Sequence, residues 1–152
     1  LIKDIPVRLY PVGRLDLATE GLLLLTDDGE LTLRLTHPRY GVSKTYLALV
    51  KGIPDTSTIR QLRQGVKLED GLTAPARVKI CRAGKNNALL QLTLWEGRNR
   101  QVRRMLAAVN HPVIWLKRSQ MAFLNLKGLK PGEYRRLTSG EADRLYRLVG
   151  LN

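Results

Sequence analysis

The residues best suited to chemistry are an acidic side chain and a neighbouring cation in a short polar segment. Asp16 follows Arg14 by two residues, shortly after Gly13 and ahead of the apolar run Leu22–Leu25. An ionised carboxylate in a partly dry site can act as a covalent nucleophile, and a nearby guanidinium favours its charged form. Gly13 allows close backbone approach, and the apolar run would anchor the segment. These features make a chemical role for Asp16 more plausible than for an average aspartate, the alternative being that it only caps a turn.

A second carboxylate, Glu20, lies four residues beyond Asp16. Two carboxylates that flank a glycosidic bond can serve as the acid and the base of sugar hydrolysis. Thr19 and Gly21 beside Glu20 indicate a turn, however, and nothing in the sequence marks Glu20 as protonated at neutral pH. A carboxylate-dependent hydrolase of nucleosides or sugars is therefore a less favoured hypothesis, which would require Glu20 to act as the second acid.

Arginines cluster at the start of a predicted helix. Arg98, Arg100, Arg103 and Arg104 fall within seven residues, with Asn99 between the first two. Cations at a helix N-terminus oppose the helix dipole, so the cluster indicates a compensating anion, either phosphate groups or an acidic side chain. Arginine also binds phosphate in a bidentate manner that lysine does not offer. The simpler interpretation is a solvated cationic face.

An aromatic residue and a cation lie close together in a predicted strand. Tyr46 follows Lys44 by two residues. A tyrosine in a strand usually packs against its neighbours, but in a nucleic-acid-binding protein it can also stack on a base. The pattern alone does not decide between these roles.

The chain carries a large positive charge. Its 152 residues include 26 Lys and Arg against 13 Asp and Glu, which gives a net charge of +13. Such an excess favours a nucleic-acid partner, because neutralised phosphates release counterions. The clustering of the arginines favours this interpretation over a merely soluble basic surface, and the length indicates a single domain.

Several other classes are disfavoured by the sequence. The longest apolar runs, Tyr46–Val50 and Met105–Val109, have five residues, whereas a membrane span needs about 20. Cys81 is the single cysteine, which argues against disulfides and cysteine metal sites, and we expect it to be a buried thiol in a strand. His37 and His111 each precede a proline and lack metal-ligand spacing. We expect a cytoplasmic protein with no metal and no membrane contact.

Hydrophobic periodicity predicts an α+β fold with a mostly antiparallel mixed sheet flanked by helices. The predicted strands are Leu22–Thr26, Lys44–Lys51, Leu72–Arg82, Ala88–Trp95 and one or two strands within Val113–Leu126. The predicted helices are Glu30–Thr36, Asp55–Gln64, Asn99–Asn110 and Thr138–Val149. Asp55 is expected to cap its helix and Gly65 to end it, and Thr138 with Glu141 forms a predicted capping box.

Four segments, in order along the chain, resemble the motifs of the ribosomal RNA pseudouridine synthases. They are Pro11–Asp16 with Thr19–Thr26, then Lys44–Tyr46, then Glu96–Met105, and finally Val113–Arg118. The subgroup is the one that contains small-subunit synthase A and large-subunit synthases B, E and F. Within it, Leu35–Tyr40 is most similar to the synthase B branch.

The resemblance implies a role for each matching side chain. Asp16 would be the nucleophile toward the target uridine, and Arg103 would pair with it and keep it ionised. Arg14 would help to open the RNA and occupy the space left by the flipped base. Tyr46 would stack on the uracil, and Leu116 would line the pocket.

The same resemblance implies further RNA contacts, a partner and the absence of cofactors. The implied RNA-contacting side chains are Lys44, Arg98, Asn99, Arg100 and Arg104. The partner would be ribosomal RNA, naked or in an assembling subunit, with the target uridine in the 23S RNA of the large subunit. No metal or organic cofactor is implied, and we expect the chain to act as a monomer.

We expect residues 1–152 to form one pseudouridine synthase catalytic domain. Family members usually carry an N-terminal RNA-binding module and a further strand before the first motif, and we expect both to be missing from this chain. Ala18 stands where the family commonly has Asp or Asn, which would change the loop but spare the nucleophile. The alternative to an enzyme is a non-catalytic RNA-binding or ribosome-assembly factor, for which Asp16 and Arg103 would not be needed.

Overall fold

The computed structural model, which describes residues 5–151, has a six-stranded mixed sheet at its centre. The strands are β1 (Tyr10–Pro11), β2 (Thr19–Gly21), β3 (Leu25–Thr26), β4 (Lys44–Lys51), β5 (Lys67–Leu68), β6 (Gly71–Leu72), β7 (Arg77–Ala83), β8 (Asn87–Leu94), β9 (Val113–Met121) and β10 (Leu124–Asn125). The helices are α1 (Gly29–Thr36), α2 (Thr56–Gln64), α3 (Gln101–Ala108) and α4 (Ser139–Leu148), with a 3₁₀ turn at Pro38–Tyr40.

The main sheet has the strand order β10-β9-β4-β8-β7, and β2 pairs with β9 as well. β2 runs parallel to β9, whereas the other pairs of this sheet within residues 5–151 are antiparallel. The small pairs β1–β3 and β5–β6 lie outside it. The predicted α+β fold with a mostly antiparallel mixed sheet is therefore confirmed.

Two apolar clusters hold the elements together. Along β8, the residues Ala88, Leu90, Leu92 and Leu94 are buried and alternate with half-buried ones, as expected for a strand with one face in the core. They pack with β4 and β9 and with the apolar sides of α2 and α3. A second cluster joins α1, α4 and the segment that carries β2 and β3.

The helix boundaries follow the capping chemistry of the sequence. Asp55 accepts a hydrogen bond from the Thr58 amide, and Gly65 ends α2. Thr138 and Glu141 form the predicted capping box of α4. An additional cap comes from Asp28, whose carboxylate accepts from two amides of α1 and from the Tyr146 hydroxyl of α4 at 2.5 Å. This last bond connects the two helices and raises the pKa of Tyr146 to about 12.

The predicted strand Leu22–Thr26 is wrong in its extent, because the chain changes partners within it. The Leu22 amide donates to the carbonyl of Arg118 on β9, while the carbonyl of Leu24 accepts from the Val12 amide. Only Leu25–Thr26 of the predicted strand is strand, as β3, and the unpredicted strand β2 precedes it.

Two further predictions need correction. The predicted strand Leu72–Arg82 is interrupted at Thr73–Ala76, which belongs to neither β6 nor β7. In this interruption, the Thr73 side chain accepts a hydrogen bond from the Val66 amide through Oγ1. Cys81 is exposed rather than buried. It lies at a register shift in the edge strand β7, and such a bulge removes a residue from the alternation between faces.

The helix predicted at Asn99–Asn110 is shorter, since α3 begins only at Gln101. Arg100 adopts a left-handed conformation with φ of 52° and caps α3 without a side-chain hydrogen bond. No helix in the described part of the chain is long and apolar enough to cross a membrane.

Gly21 permits the close approach of β2 and β9. Its φ is +119°, and a Cβ at this position would meet the backbone of Arg118, whose nitrogen would lie 2.7 Å away. A side chain would therefore strain the backbone and push β2 off β9. Because β2 follows directly after Asp16 and its turn, Gly21 helps to fix where Asp16 lies.

Replacing Gly21 by alanine tests this constraint. We expect Gly21→Ala to lower the free energy of unfolding by about 1–3 kcal/mol, measured by urea denaturation. The control is Gly29→Ala at the first residue of α1, where a Cβ meets no atom within 4 Å and alanine favours the helix. Equal stability of Gly21→Ala and the parent would contradict the proposed close approach.

The C-terminal helix yields a pH-dependent prediction. Glu141 accepts hydrogen bonds from both terminal nitrogens of Arg135 at 2.8 Å and from the Thr138 amide at 2.9 Å. Chiefly through the Arg135 bond, its pKa falls from 4.5 to about 2. A carboxylate with a lowered pKa in the folded state stabilises the fold above its unfolded pKa, and this contribution is lost as the pH falls toward about 2.

We expect Glu141→Gln to be less stable than the parent at neutral pH, with the difference shrinking between pH 4.5 and 2. Urea denaturation at a series of pH values measures this difference. The control is Asp143→Asn, an exposed carboxylate on the same helix. A difference between Glu141→Gln and the parent that stays constant with pH would contradict the assignment.

Candidate active site

A pocket of about 400 Å³ opens where three parts of the chain meet. Its walls are the segment Gly13–Asp16 with Thr19 and the segment Glu96–Arg103, and its floor is formed by Tyr46, Leu94 and Leu116 from the sheet. Eight of the ten residues predicted for the site line this pocket: Arg14, Asp16, Tyr46, Arg98, Asn99, Arg100, Arg103 and Leu116. Lys44 and Arg104 do not line it.

A second pocket, of about 590 Å³, is larger, but polar side chains are a minority of its lining. It is lined mainly by aliphatic side chains, including Leu22–Leu25, and contains none of the ten predicted site residues. The smaller pocket is therefore the candidate active site.

The segment that carries Asp16 is fixed at both ends. Before it, the Val12 amide donates to Leu24 at 2.7 Å, and Gly13 turns the chain with φ of +74°. After it, the Thr19 amide donates to the Asp16 carbonyl at 2.9 Å and closes a turn that leads into β2. Asp16 is half-buried at the wall of the pocket. The carboxylate is thus presented by a constrained backbone.

Tyr46 and Leu116 come from neighbouring strands of the sheet. The register pairs Tyr46 with Arg118 and Ala48 with Leu116, so these side chains share one face. A register shift beside Tyr46 leaves Ser119 as an extra residue on β9, and bulges of this kind re-aim adjacent side chains. The half-buried tyrosine ring and the buried leucine give the pocket an apolar floor.

Arg103 contacts the loop of Asp16 through its backbone rather than through the carboxylate. Its Nη2 donates to the Ala18 carbonyl at 2.8 Å and lies 3.5 Å from Thr19 Oγ1. No ion pair within residues 5–151 includes Asp16. The implied pair between Asp16 and Arg103 is therefore absent from this structure, although both residues line the same pocket.

Two of the predicted RNA-contacting arginines are engaged in intramolecular bonds. Both Nη atoms of Arg104 donate to the Asp70 carboxylate, at 2.9 and 3.1 Å. Arg98 donates to Leu72 and Gly71 carbonyls at 2.7 and 3.0 Å and to Glu96 at 3.1 Å. The Arg104 hydrogen bond lowers the pKa of Asp70. These arginines connect the β5–β6 hairpin to the start of α3, while Asn99 and Arg100 are exposed.

Glu96 and Gln101 form a polar network behind the pocket wall that sequence reasoning missed. Glu96 Oε2 accepts from the Ala74 amide at 2.6 Å and from the buried Gln101 side chain at 3.0 Å. Gln101 in turn accepts from the Arg98 amide at 3.1 Å. The available signal was an acidic residue and an amide side chain five positions apart in an otherwise basic segment. The partner of Glu96 in the β6–β7 connection, the Ala74 amide, was not predictable.

Two cations, Lys44 and Arg118, lie near residues of the pocket without lining it, and neither forms an ion pair with an acidic side chain in the described part of the chain. Lys44 Nζ lies 3.4 Å from the position that a Cβ on Gly97 would occupy. Burial lowers the pKa of Lys44, and the charge of Arg118 lowers it further. Arg118, which ends the last motif segment but was not predicted as a site residue, is only 3% exposed and donates from Nε to the Leu22 carbonyl at 2.9 Å. Its Nη2 is buried without a partner in the described part of the chain. Buried cations of this kind favour an anionic ligand or side chain nearby.

The carboxylates in and near the pocket differ in the hydrogen bonds that they accept. Glu96 accepts three hydrogen bonds, from Ala74, Arg98 and Gln101. Asp16 accepts no side-chain hydrogen bond from any residue that the structure describes. Glu20 does not line the pocket, and its Oε1 instead accepts from the Trp115 indole at 2.6 Å. Asp16 is therefore the pocket carboxylate that has no hydrogen-bond donor among the described residues. It does not form a carboxylate pair with Glu20.

The histidines serve as hydrogen-bonding residues in turns. His37 accepts from the Arg39 amide, and His111 Nδ1 lies 2.8 Å from the Lys51 carbonyl oxygen. Across residues 5–151, no group of three or more His, Cys, Asp or Glu side chains is placed to hold a metal ion.

Comparison with known proteins points in one direction. A family model described as RNA pseudouridylate synthase matches residues 3–108. The ribosomal large subunit pseudouridine synthase B of Bacillus subtilis is 54% identical over 97% of this chain and 61% of its own length. The ribosomal large subunit pseudouridine synthase E of Vibrio vulnificus is 42% identical over 91% of this chain and 65% of its own length.

A solved structure agrees with these sequence matches. A crystal structure of a pseudouridylate synthase superimposes with a TM-score of 0.82 and 38% identity, covering 90% of this chain and 59% of the other. The chain thus spans about three fifths of the length of these relatives.

The network behind the pocket wall gives a testable prediction. Replacing Glu96 by alanine leaves the Ala74 amide and the buried Gln101 amide group without their acceptor, and each unsatisfied group is costly. We expect Glu96→Ala to lower the free energy of unfolding by about 2–4 kcal/mol, measured by urea denaturation. Glu69→Ala, at an exposed position, is the control and should change it by less than about 0.5 kcal/mol. Similar losses in both variants would contradict the role of the network.

Proposed function

This chain belongs to the RNA pseudouridylate synthase family, and we propose that it isomerises a uridine of ribosomal RNA to pseudouridine. The observation that carries the proposal is the pocket that combines the uncommitted carboxylate of Asp16 with the ring of Tyr46 and the guanidinium of Arg103. A carboxylate can form a covalent intermediate, an aromatic ring can hold a base, and a cation can balance the developing charge.

The proposed reaction is an isomerisation, so the product has the same composition as the substrate. Asp16 acts as the nucleophile, either at the uracil ring or at the sugar carbon. The bond between N1 and C1′ breaks, the uracil turns within the pocket, and C5 bonds to C1′. The bond between Asp16 and the substrate also breaks, and its electron pair returns to the carboxylate. The hydrogen on C5 is lost to water, and N1 takes up a proton. Tyr46 and Leu116 would hold the detached uracil while it turns.

The target base must leave its stack to reach Asp16. Extrusion of a base costs a few kcal/mol, which contacts with the protein must offset. Arg14 lies exposed at the pocket wall, and we assign it to the space that the extruded base leaves. Arg100 and Asn99, also exposed, would contact the backbone of the RNA. Arg98 and Arg104, which form intramolecular hydrogen bonds, would act mainly by stabilising the pocket wall at the start of α3.

We further propose that the substrate is the 23S RNA of the large ribosomal subunit, naked or during assembly. The two relatives described above, from Bacillus subtilis and Vibrio vulnificus, are named as ribosomal large subunit pseudouridine synthases. The net charge of +13 supports binding to a polyanion. A non-catalytic RNA-binding factor is the alternative, but binding alone does not need an uncommitted carboxylate beside phosphate groups.

The decisive test is the exchange of Asp16 for asparagine. Uridine labelled with tritium at C5 releases the label to water when pseudouridine forms. We expect the parent protein to release tritium from large-subunit RNA and Asp16→Asn to be slower by at least about 1000-fold, because asparagine is not a nucleophile. RNA affinity, measured by filter binding, should be retained.

The matched control is Asp27→Asn, an exposed carboxylate outside the pocket, which should release tritium at the parental rate. Absence of release by the parent from both naked RNA and precursor large subunits would contradict the proposal and support the RNA-binding factor. Unimpaired release by Asp16→Asn would show that another group is the nucleophile.

A further inference from the structure

The turn after Asp16 has an unusual composition. Leu17 and Ala18 occupy its two central positions, between the carbonyl of Asp16 and the amide of Thr19 that close it. Central turn positions favour Gly, Pro, Asn, Asp and Ser, each of which helps to form the turn. Leucine and alanine contribute nothing comparable, so the local fold does not explain why they are here.

Leu17 is completely exposed. Its accessible area is 106% of the reference value, more than that of any other exposed large hydrophobic residue in the described part of the chain. A leucine at the tip of a turn gains no packing in the free protein, but it would gain free energy on contact with an apolar surface.

The backbone beneath Leu17 is held firmly. Thr19 pairs with Leu116 in the parallel register of β2 and β9, and the Ala18 carbonyl accepts from Arg103 at 2.8 Å. The side chain is therefore presented outward from a fixed position. An apolar contact made from such a position loses little conformational freedom of the backbone on binding.

Leu17 also lies at the edge of the pocket. Asp16 and Thr19, the two ends of its turn, line the pocket, whereas Leu17 does not. Each of the two pocket walls carries an exposed arginine, Arg14 on one and Arg100 on the other, so Leu17 is an apolar tip beside a cationic rim.

We propose that Leu17 is an apolar wedge that contacts the nucleobases flanking the target uridine when that uridine leaves the stack. This inference rests on the proposed function. Side chains such as leucine that enter between bases stabilise unstacked steps of nucleic acids. Leu17 thus complements Arg14: Arg14 occupies the space of the extruded base, and Leu17 covers the exposed face of a neighbouring base.

The test compares two RNA hairpins that contain the same target uridine. In one hairpin the uridine is paired, and in the other a mismatch leaves it already unstacked. We expect Leu17→Ala to lower the single-turnover rate on the paired hairpin by about tenfold and on the mismatched hairpin by less than about twofold. Leu17→Met, which keeps the apolar bulk, should retain the parental rate on both.

The matched control is Leu148→Ala, which truncates an exposed leucine of α4 and should leave both rates unchanged. Equal rates for Leu17→Ala and the parent on both hairpins would overturn the inference. So would equal losses on both hairpins, because they would indicate that Leu17 only positions Asp16.

A second readout does not need turnover and separates this inference from the proposed function. The Asp16→Asn variant is bound to the paired hairpin with 2-aminopurine beside the uridine, and unstacking raises its fluorescence. We expect the rise with Asp16→Asn and its loss when Leu17→Ala is added. A rise that survives Leu17→Ala overturns the inference even if tritium release supports the function. Absence of tritium release from the parent rejects the function independently of this fluorescence.

Discussion

The parallel pairing of β2 with β9 is the contact on which the candidate site depends. It sets Thr19 beside Leu116 and Gly21 beside Arg118, and thereby connects the segment that carries Asp16 to β9, one of the three strands that form the pocket floor. Gly21 allows the two backbones to approach, and Arg103 fastens the intervening turn through the Ala18 carbonyl. Without this pairing, the carboxylate and the tyrosine would belong to independent parts of the chain.

The cationic side chains around the pocket fall into two groups, those that form ion pairs within the protein and those that do not. Arg98 and Arg104 are neutralised by Glu96 and Asp70, which fixes the wall at the start of α3. Lys44 and Arg118 lie near the pocket without such partners in the part of the chain that the structure describes, and burial lowers the pKa of Lys44. The arrangement is typical of a site in which an incoming anion completes the electrostatic balance.

Much of the architecture could be predicted because it depends on local signals. The strand Lys44–Lys51 and the helix ending at Gln64 have the expected bounds, since β-branched residues and caps act within a few positions. The split of Leu22–Thr26 could not be predicted, because it depends on partners near Arg118 and Val12. The pocket positions of Asp16 and Arg103 agree with the sequence motifs, whereas the pairing of Arg104 with Asp70 arises from tertiary packing. The functional roles of the site residues stay predictions.

The long sequence separation across β2 and β9 has a consequence for how the protein assembles. Leu22 and Arg118, which are hydrogen-bonded, are 96 positions apart in the chain, and closing so large a loop carries an entropic cost before any contact offsets it. Contacts of this range slow folding relative to local ones. Hairpins such as β7–β8 and the capped helices form from near neighbours in the chain. The pocket, in contrast, requires contacts between the segment of Asp16 and the strand of Leu116, which are far apart in the sequence. During synthesis on a ribosome, therefore, the site is completed only after β9 has emerged, so a nascent chain with Asp16 already exposed lacks both Leu116 and the strand that positions the Asp16 segment.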